Sequence, residues 1–194
     1  RAGNSLRVLS SGFLLMILLA SCITSDPDGE KIDRSIVPYT EGIRIGWDFS
    51  TLTRVVDRAV YYPRIIRLQS GELLCAFESE RNVYITRSSD EGKNWSDATL
   101  VAPSDGVTGS AVPELIQLTN GRILLAYNTR PPANNQNPVK KFGIKLRISD
   151  DGGYTWSGKK NVFEGGYEWS RGVWEPAMIQ LHTGEVQLFF ANEF

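Results

Sequence analysis

The chain has little of what metal, redox and phosphate chemistry require. Among its 194 residues there is one histidine, His182, and there are two cysteines, Cys22 and Cys75. No set of His, Cys, Asp or Glu has metal-ligand spacing, and no glycine-rich phosphate loop occurs. No metal and no cofactor are therefore assigned. His182 sits in a polar turn and reads as a surface residue. Cys75 lies in the apolar run Leu73-Leu74-Cys75-Ala76-Phe77 and reads as core. With no base indicated near it, it is a poor nucleophile. A dominant charge is also lacking: 21 Lys and Arg against 22 Asp and Glu leave a net charge of −1. The basic residues are scattered, so nucleic acid is not an expected partner.

Long hydrophobic runs are missing too. The apolar run Gly12 to Ala20 is far short of the roughly 20 residues that span a bilayer. Arg1 and Arg7 precede it and small residues follow, which is the pattern of a secretory signal. Its end, Leu19-Ala20-Ser21-Cys22, resembles a bacterial lipobox, in which cleavage before Cys22 leaves that cysteine lipidated. A plain signal with an incidental Cys22 is the alternative. On the lipoprotein reading, residues 1–21 are the signal and 22–36 a polar tether. The protein is then exported and anchored by its lipid to the bacterial cell envelope, at the outer membrane or cell surface. No disulfide within the chain is then possible. Because the chain begins with Arg, a few residues are expected upstream.

What the chain does have is punctuation. Tryptophan (5) and glycine (18) are plentiful. Two octapeptides, Ser88 to Trp95 and Ser149 to Trp156, both read Ser-x-Asp-x-Gly-x-x-Trp. Each follows a run of alternating apolar residues (Val83 and Ile85; Phe142, Ile144, Leu146 and Ile148), so each sits at the tip of a strand hairpin. Asp90 and Asp151 can accept hydrogen bonds from the backbone just ahead of them and close the turn. Gly92 and Gly153 permit a positive φ. Trp95 and Trp156 fold back as apolar plugs with an N–H free to find a partner.

A longer repeat starts at Pro63, Pro113 and Pro176. Each copy reads as a strand, a tight polar-Gly turn (Ser70-Gly71, Asn120-Gly121, Thr183-Gly184) and a second strand. The first two copies continue into a third strand, the octapeptide turn and a short fourth strand (Thr99 to Ala102; Asn161 to Glu164). Four antiparallel strands recurring every 50 to 63 residues predict an all-β propeller. Arg130 to Lys141 reads as an insertion in the second blade. Ile43 to Val56 alternates weakly and reads as a further strand. Fewer than three blades fit in the chain, so residues 37–194 are expected to be the N-terminal part of a longer propeller.

The octapeptides resemble the Asp-boxes of the sialidase-like six-bladed propellers, also called BNR repeats. The resemblance runs from about Tyr61 to the end. It implies a fold firmly and a function loosely, because sialidases, exo-arabinanases and non-catalytic propellers share these turns. The polar-Gly turns and Asp-boxes fall on one face of such a disc. Blade links and strand 2–3 loops fall on the other, where these propellers bind sugar. Ser88, Asp90, Gly92, Trp95, Ser149, Asp151, Gly153 and Trp156 are therefore structural.

On the opposite face Arg171-Gly172-Val173-Trp174-Glu175-Pro176 opens the innermost strand of the third blade. The equivalent residues are Tyr62 and Val112, so the repeat does not demand an acid there. Desolvation beside Trp174 would raise the pKa of Glu175, as a general acid needs. Trp-Glu-Pro resembles the corresponding motif of the exo-arabinanases of glycoside hydrolase family 93. That resemblance implies that Glu175 is a catalytic carboxylate, the acid/base, with the second carboxylate of a retaining mechanism beyond Phe194. Pairing with Arg171 is the plainer role for Glu175. Trp174, Glu193, Tyr61, Tyr62, Arg64 and Arg171 are the expected sugar-binding residues. Glu78, Glu80, Arg81, Asn128 and Arg130 stand at the strand 2–3 loop entrances. Sialidases carry an Arg-Ile-Pro motif on the first blade, and here that place reads Tyr61-Tyr62-Pro63, which favours a neutral glycan. The expected activity is an exo-acting, arabinanase-like glycoside hydrolase. The alternatives are an exo-sialidase and a non-catalytic glycan-binding propeller.

Overall fold

The computed structural model describes residues 7–8, 14–15, 46, 48–132 and 141–193. The signal, the lipidation site Cys22 and the tether lie outside the described residues, apart from a two-residue antiparallel ladder between β1 (Arg7–Val8) and β2 (Leu14–Leu15). The chain divides into two units, Arg1–Phe49 and Ser50–Phe194. Among the described residues no helix is long and apolar enough to cross a membrane.

The second unit is built of antiparallel meanders. β3 (Tyr61–Arg67), β4 (Leu73–Ser79), β5 (Asn82–Ser88) and β6 (Thr99–Ala102) form one four-stranded sheet in sequence order. β7 (Gly109–Gln117), β8 (Ile123–Arg130), β9 (Gly143–Ser149) and β10 (Lys160–Glu164) form the next, and β11 (Val173–Gln180) pairs with β12 (Val186–Asn192). These are two complete propeller blades and the inner half of a third. The strand expected over Ile43 to Val56 is absent where that stretch is described. Residues 48–56 hold only a 3-10 turn, Phe49–Thr51, because alternation alone provides no ladder partner.

The turn chemistry repeats with the sequence. At each inner turn the Gly N–H donates to the carbonyl of the Leu just past the preceding strand: Gly71 to Leu68 at 2.8 Å, Gly121 to Leu118 at 2.9 Å, Gly184 to Leu181 at 2.9 Å. The three glycines have φ of +93°, +87° and +90°, which a side chain would strain. Gln117 and Gln180 then link neighbouring blades. Each donates through Nε2 to its own turn glycine carbonyl, at 3.0 and 3.1 Å. Each accepts through Oε1 from a backbone N–H of the preceding blade, Gln69 at 2.7 Å and Thr119 at 2.8 Å.

Between the blades lie the cores. Leu74, Ala76, Val83 and Ile85 of the first blade meet Leu115, Ile123, Leu125 and Tyr127 of the second, with Trp156 packed on their edge. Phe142, Ile144 and Val173 form the core between the second and third blades. A fully buried side chain such as Leu74 or Leu125 contributes about 1.5–3 kcal/mol. Cys75 is buried in the first sheet, as expected, and burial pushes its thiol up to about 11.

Both Asp-box turns close as their residues dictate. Asp90 accepts from the Asn94 backbone N–H at 2.9 Å and from Asn94 Nδ2 at 2.6 Å. Asp151 accepts from the backbone N–H groups of Tyr154 and Thr155, at 3.1 and 2.9 Å. Ser88 and Ser149 accept from Gly92 and Gly153, and each donates to its Asp. The indoles of Trp95 and Trp156 donate to the same glycines' carbonyls, at 3.0 and 3.1 Å. The Asn94 and Ser88 bonds pull the Asp90 carboxyl down to about 2, and the Thr155 hydroxyl, which also donates to Asp151, together with the Thr155 N–H and Ser149 holds Asp151 lower still.

Candidate active site

Register divides the ends of the blades. Leu73 pairs with Ser88 and Ile123 with Ser149, so the inner turns and Asp-boxes share one end. Tyr61 pairs with Glu78, Ala111 with Asn128 and Trp174 with Ala191 at the other end. The expected candidate residues gather there, away from the Asp-box acids.

The entrance of each inner strand is bent in the same way. The ladder shifts between Tyr61 and Arg64, between Ala111 and Glu114, and between Trp174 and Ala177. At the centre of each shift stands the residue before proline, and all three have positive φ: Tyr62 at +51°, Val112 at +45° and Glu175 at +52°. Such a backbone is unfavourable for any side chain, most of all for β-branched valine, by about 1–3 kcal/mol. It recurs with three unrelated side chains, so the bulge belongs to the blade architecture. Its local effect is to re-aim the side chain at that position. In the third blade that side chain is a carboxylate.

Around the mouth the three blades converge on Arg130. Its guanidinium lies over the rings of Tyr62 and Trp174, 5.4 and 5.5 Å from their centroids. Glu78 approaches Arg130 at 3.8 Å and also accepts from the Val112 N–H at 3.3 Å. Asn128 is fully buried and donates to the Val173 carbonyl at 3.1 Å, fixing the start of β11. Trp174 packs against Phe142 and Trp169, with centroids at 4.9 and 5.4 Å. Its indole crosses Gly172 so closely that a Cβ there would overlap the ring, which is why glycine precedes Val173. Two donors at the mouth, Trp174 Nε1 and Arg130 Nε, are buried with no acceptor among the described residues.

Glu175 itself is exposed. That exposure runs against the desolvation expected from Trp174, whose indole packs onto Phe142 and Trp169. Arg171 is also exposed, and no ion pair joins it to Glu175 among the described residues. Tyr61 and Tyr62 are exposed at 58% and 40%, open to stack on a sugar. Glu193 lies just past β12 and is exposed; by register it matches Glu80 and Arg130, one place beyond the equivalent of Ser79. Arg64 is turned to Glu114 at 3.3 Å. Its guanidinium is therefore engaged by a neighbouring blade as well as half-exposed.

Glu114 escaped notice in the sequence. It follows the repeated proline, at the position of Arg64 in the first blade and Ala177 in the third. Burial raises its pKa, and the Arg64 charge and the Met178 backbone N–H offset part of that rise. Opposite charges at equivalent positions of successive repeats were the available signal. Among the described residues no group of His, Cys, Asp and Glu is arranged to hold a metal.

A family model described as BNR repeat-like domain matches residues 17–188. No curated protein matches the chain. Among solved structures, the chain resembles a GH93 alpha-L-arabinofuranosidase of Fusarium graminearum in complex with arabinobiose, with 24% identity and a TM-score of 0.57 over 69% of this chain and 41% of that one. It also resembles an alpha-L-arabinanase of Penicillium chrysogenum complexed with arabinobiose (24% identity, TM-score 0.55, 69% and 41% covered). A Hadza microbial sialidase matches at 20% identity and a TM-score of 0.53, with 70% of this chain and 33% of that one covered. The chain thus spans about two fifths of the arabinanase-type structures and a third of the sialidase. At these identities the likeness establishes the fold.

Proposed function

The chain belongs to the BNR repeat-like family, and from that premise we propose that it forms part of an exo-acting glycoside hydrolase on a neutral, arabinan-like glycan. The observation that carries the proposal is Glu175. It is the only carboxylate among the three equivalent bulge positions, and it stands beside the shelf formed by Tyr62, Arg130 and Trp174. A sugar ring stacks its apolar face on such aromatics. A carboxylate at that rim can act on the anomeric centre once a second carboxylate faces it, about 5 Å away for retention of configuration. Arabinobiose bound to two of the structural relatives is consistent with this substrate class.

Two of the arginines at the mouth argue for a neutral sugar. Arg64 faces Glu114, and Arg130 faces Glu78. Both charges are already answered, so neither is a free clamp for an anionic substrate. We assign the catalytic carboxylate to Glu175 and sugar contacts to Tyr61, Tyr62, Trp174, Arg171 and Glu193. On the lipoprotein reading, Cys22 tethers this activity at the cell envelope.

The test uses the complete protein on debranched arabinan. Glu175→Gln removes the ionisable group at constant size and is expected to lower kcat by several orders of magnitude, with binding retained. Full activity in that variant defeats the assignment. Release of sialic acid from a simple sialoside would replace this reading with the sialidase one. Binding of glycan without any turnover would make the protein a non-catalytic glycan binder.

A further inference from the structure

One row of side chains differs between the blades in a way that the repeat does not explain. In the first blade it reads Phe77, Tyr84 and Leu100 across β4, β5 and β6. The rings of Phe77 and Tyr84 stack at 6.0 Å, and the Arg58 guanidinium covers both, at 5.5 and 4.0 Å. In the second blade the same row reads Tyr127, Lys145 and Asn161 across β8, β9 and β10. An ammonium thus stands where its equivalent is an aromatic ring packed under a cation.

Lys145 is partly buried and donates to Asn161 Oδ1 at 2.9 Å. One neutral amide is a poor counterpart for a desolvated charge. Burial lowers the Lys145 pKa, and the nearby Lys159 lowers it further against the pull of Glu164. The bare position of Gly143 gives the ammonium its room. A Cβ there would come within 3.1 Å of Lys145 Nζ and 2.9 Å of the Phe163 carbonyl.

The space so kept open is a cleft of about 410 Å³ between the link from the first blade and the flank of the second. That is the size of a small-ligand site, roughly 300–1,000 Å³. Thr108, Ser110, Thr129, Lys145, Lys159 and Asn161 line it, with Ser110 and Thr129 side by side as ladder partners of β7 and β8. Of the acids at its edge, Glu164 pairs with Lys141 at 3.4 Å, and Asp105 Oδ1 accepts from the backbone N–H groups of Val107 and Thr108 at 3.0 and 2.6 Å. The cleft lies on the side of β8 that carries Tyr127 and Thr129, whereas Asn128 and Arg130 point to the mouth.

The geometry points to this cleft as a second carbohydrate site, one that takes an acidic sugar. The carboxylate of a uronic acid residue lies against Lys145 and Lys159, and its hydroxyls meet Thr108, Ser110, Thr129 and Asn161. A bare sulfate or phosphate would use the ammonium groups but leave most of the volume and the hydroxyl wall unfilled. The site is independent of catalysis at Glu175. It would hold a charged part of a glycan while the mouth handles a neutral one.

The experiment is calorimetric titration of the complete protein with galacturonate, galactose and inorganic sulfate in separate runs. Galacturonate is expected to bind at least about tenfold more tightly than galactose, the factor that one charge-assisted hydrogen bond implies. Lys145→Gln is expected to remove that preference, Lys159→Gln to reduce it several-fold, and Glu175→Gln to leave it intact. Lys159 is exposed, so its variant reports even if Lys145→Gln fails to fold. Equal binding of galactose overturns the role of charge. Binding of sulfate without galacturonate overturns the sugar site, and an unchanged preference in both lysine variants moves it elsewhere.

Discussion

Arg130 of the second blade is held between Tyr62 of the first and Trp174 of the third, its guanidinium 5.4 and 5.5 Å from the two ring centroids. A single side chain therefore sets the spacing of the shelf on which a sugar would stack. Each cation–π contact contributes about 0.5–1 kcal/mol at a partly exposed site. Arg130→Ala is expected to raise KM for arabino-oligosaccharides about tenfold with a smaller effect on kcat. Arg130→Lys should recover little, because a compact ammonium cannot lie flat against two rings. Steady-state kinetics on both variants decide the point: full rescue by lysine would show that charge alone matters there.

Glu114 ties the inner strands of three blades together through Arg64 and the Met178 N–H. Its pKa is raised, chiefly by burial, so the folded state holds this proton more tightly than the unfolded chain does. The contribution of this group to stability is therefore largest at low pH and declines as pH rises above the ordinary glutamate range. Glu114→Gln lacks that decline. Its stability relative to wild type should improve between about pH 4 and pH 7, measured by denaturant unfolding at several pH values. A relative loss over that window would mean that the pairing with Arg64 outweighs burial.

The Asp-box acid Asp90 behaves in the opposite sense. Its carboxyl is held at about 2 by the Asn94 and Ser88 hydrogen bonds. Its stabilising contribution is complete above the unfolded-state value near 4 and is lost as pH falls toward about 2. Asp90→Asn keeps the shape but removes the charge, so the variant should be less acid-sensitive than wild type across that interval. Acid titrations followed by tryptophan fluorescence check this, since Trp95 closes the same turn. Identical acid midpoints would sink the idea.

Two glycines with similar φ make a paired test of packing against backbone strain. Gly71 has φ of +93° and open space for 4 Å around the place a Cβ would take, whereas at Gly153, with φ of +92°, a Cβ would stand 3.2 Å from Leu74 and 3.4 Å from Arg87. Gly71→Ala is expected to destabilise by about 1 kcal/mol, the strain alone. Gly153→Ala should cost about 2–4 kcal/mol, because overpacking between the blades adds to it. Thermal unfolding of the two variants side by side measures the difference, and equal losses would refute the close contact.

Local patterns carried the architecture. The prolines, polar-Gly turns and octapeptides each act over a few residues, and their order placed all the strands of two blades, although β7 starts at Gly109, ahead of Pro113, and β8 runs on to Arg130. They also assigned the Asp-box acids to the far face, since strand direction follows from counting turns. The weak alternation read over Ile43 to Val56 gives no strand among its described residues, for a physical reason: a strand needs a partner as well as a pattern.

The mouth was decided by tertiary structure. Arg130, Glu78, Tyr62 and Trp174 come from three blades, and only packing reveals which of several loop-entrance charges face one another. The exposure of Glu175 and the pairing of Arg64 with Glu114 are also products of neighbours remote in sequence. The sequence by itself determined that this chain makes propeller blades and which residue stands at each strand entrance, because hydrogen-bonded turns are local. The tertiary structure alone decided which of those residues share a site, because burial and charge pairing depend on what the other blades bring beside them.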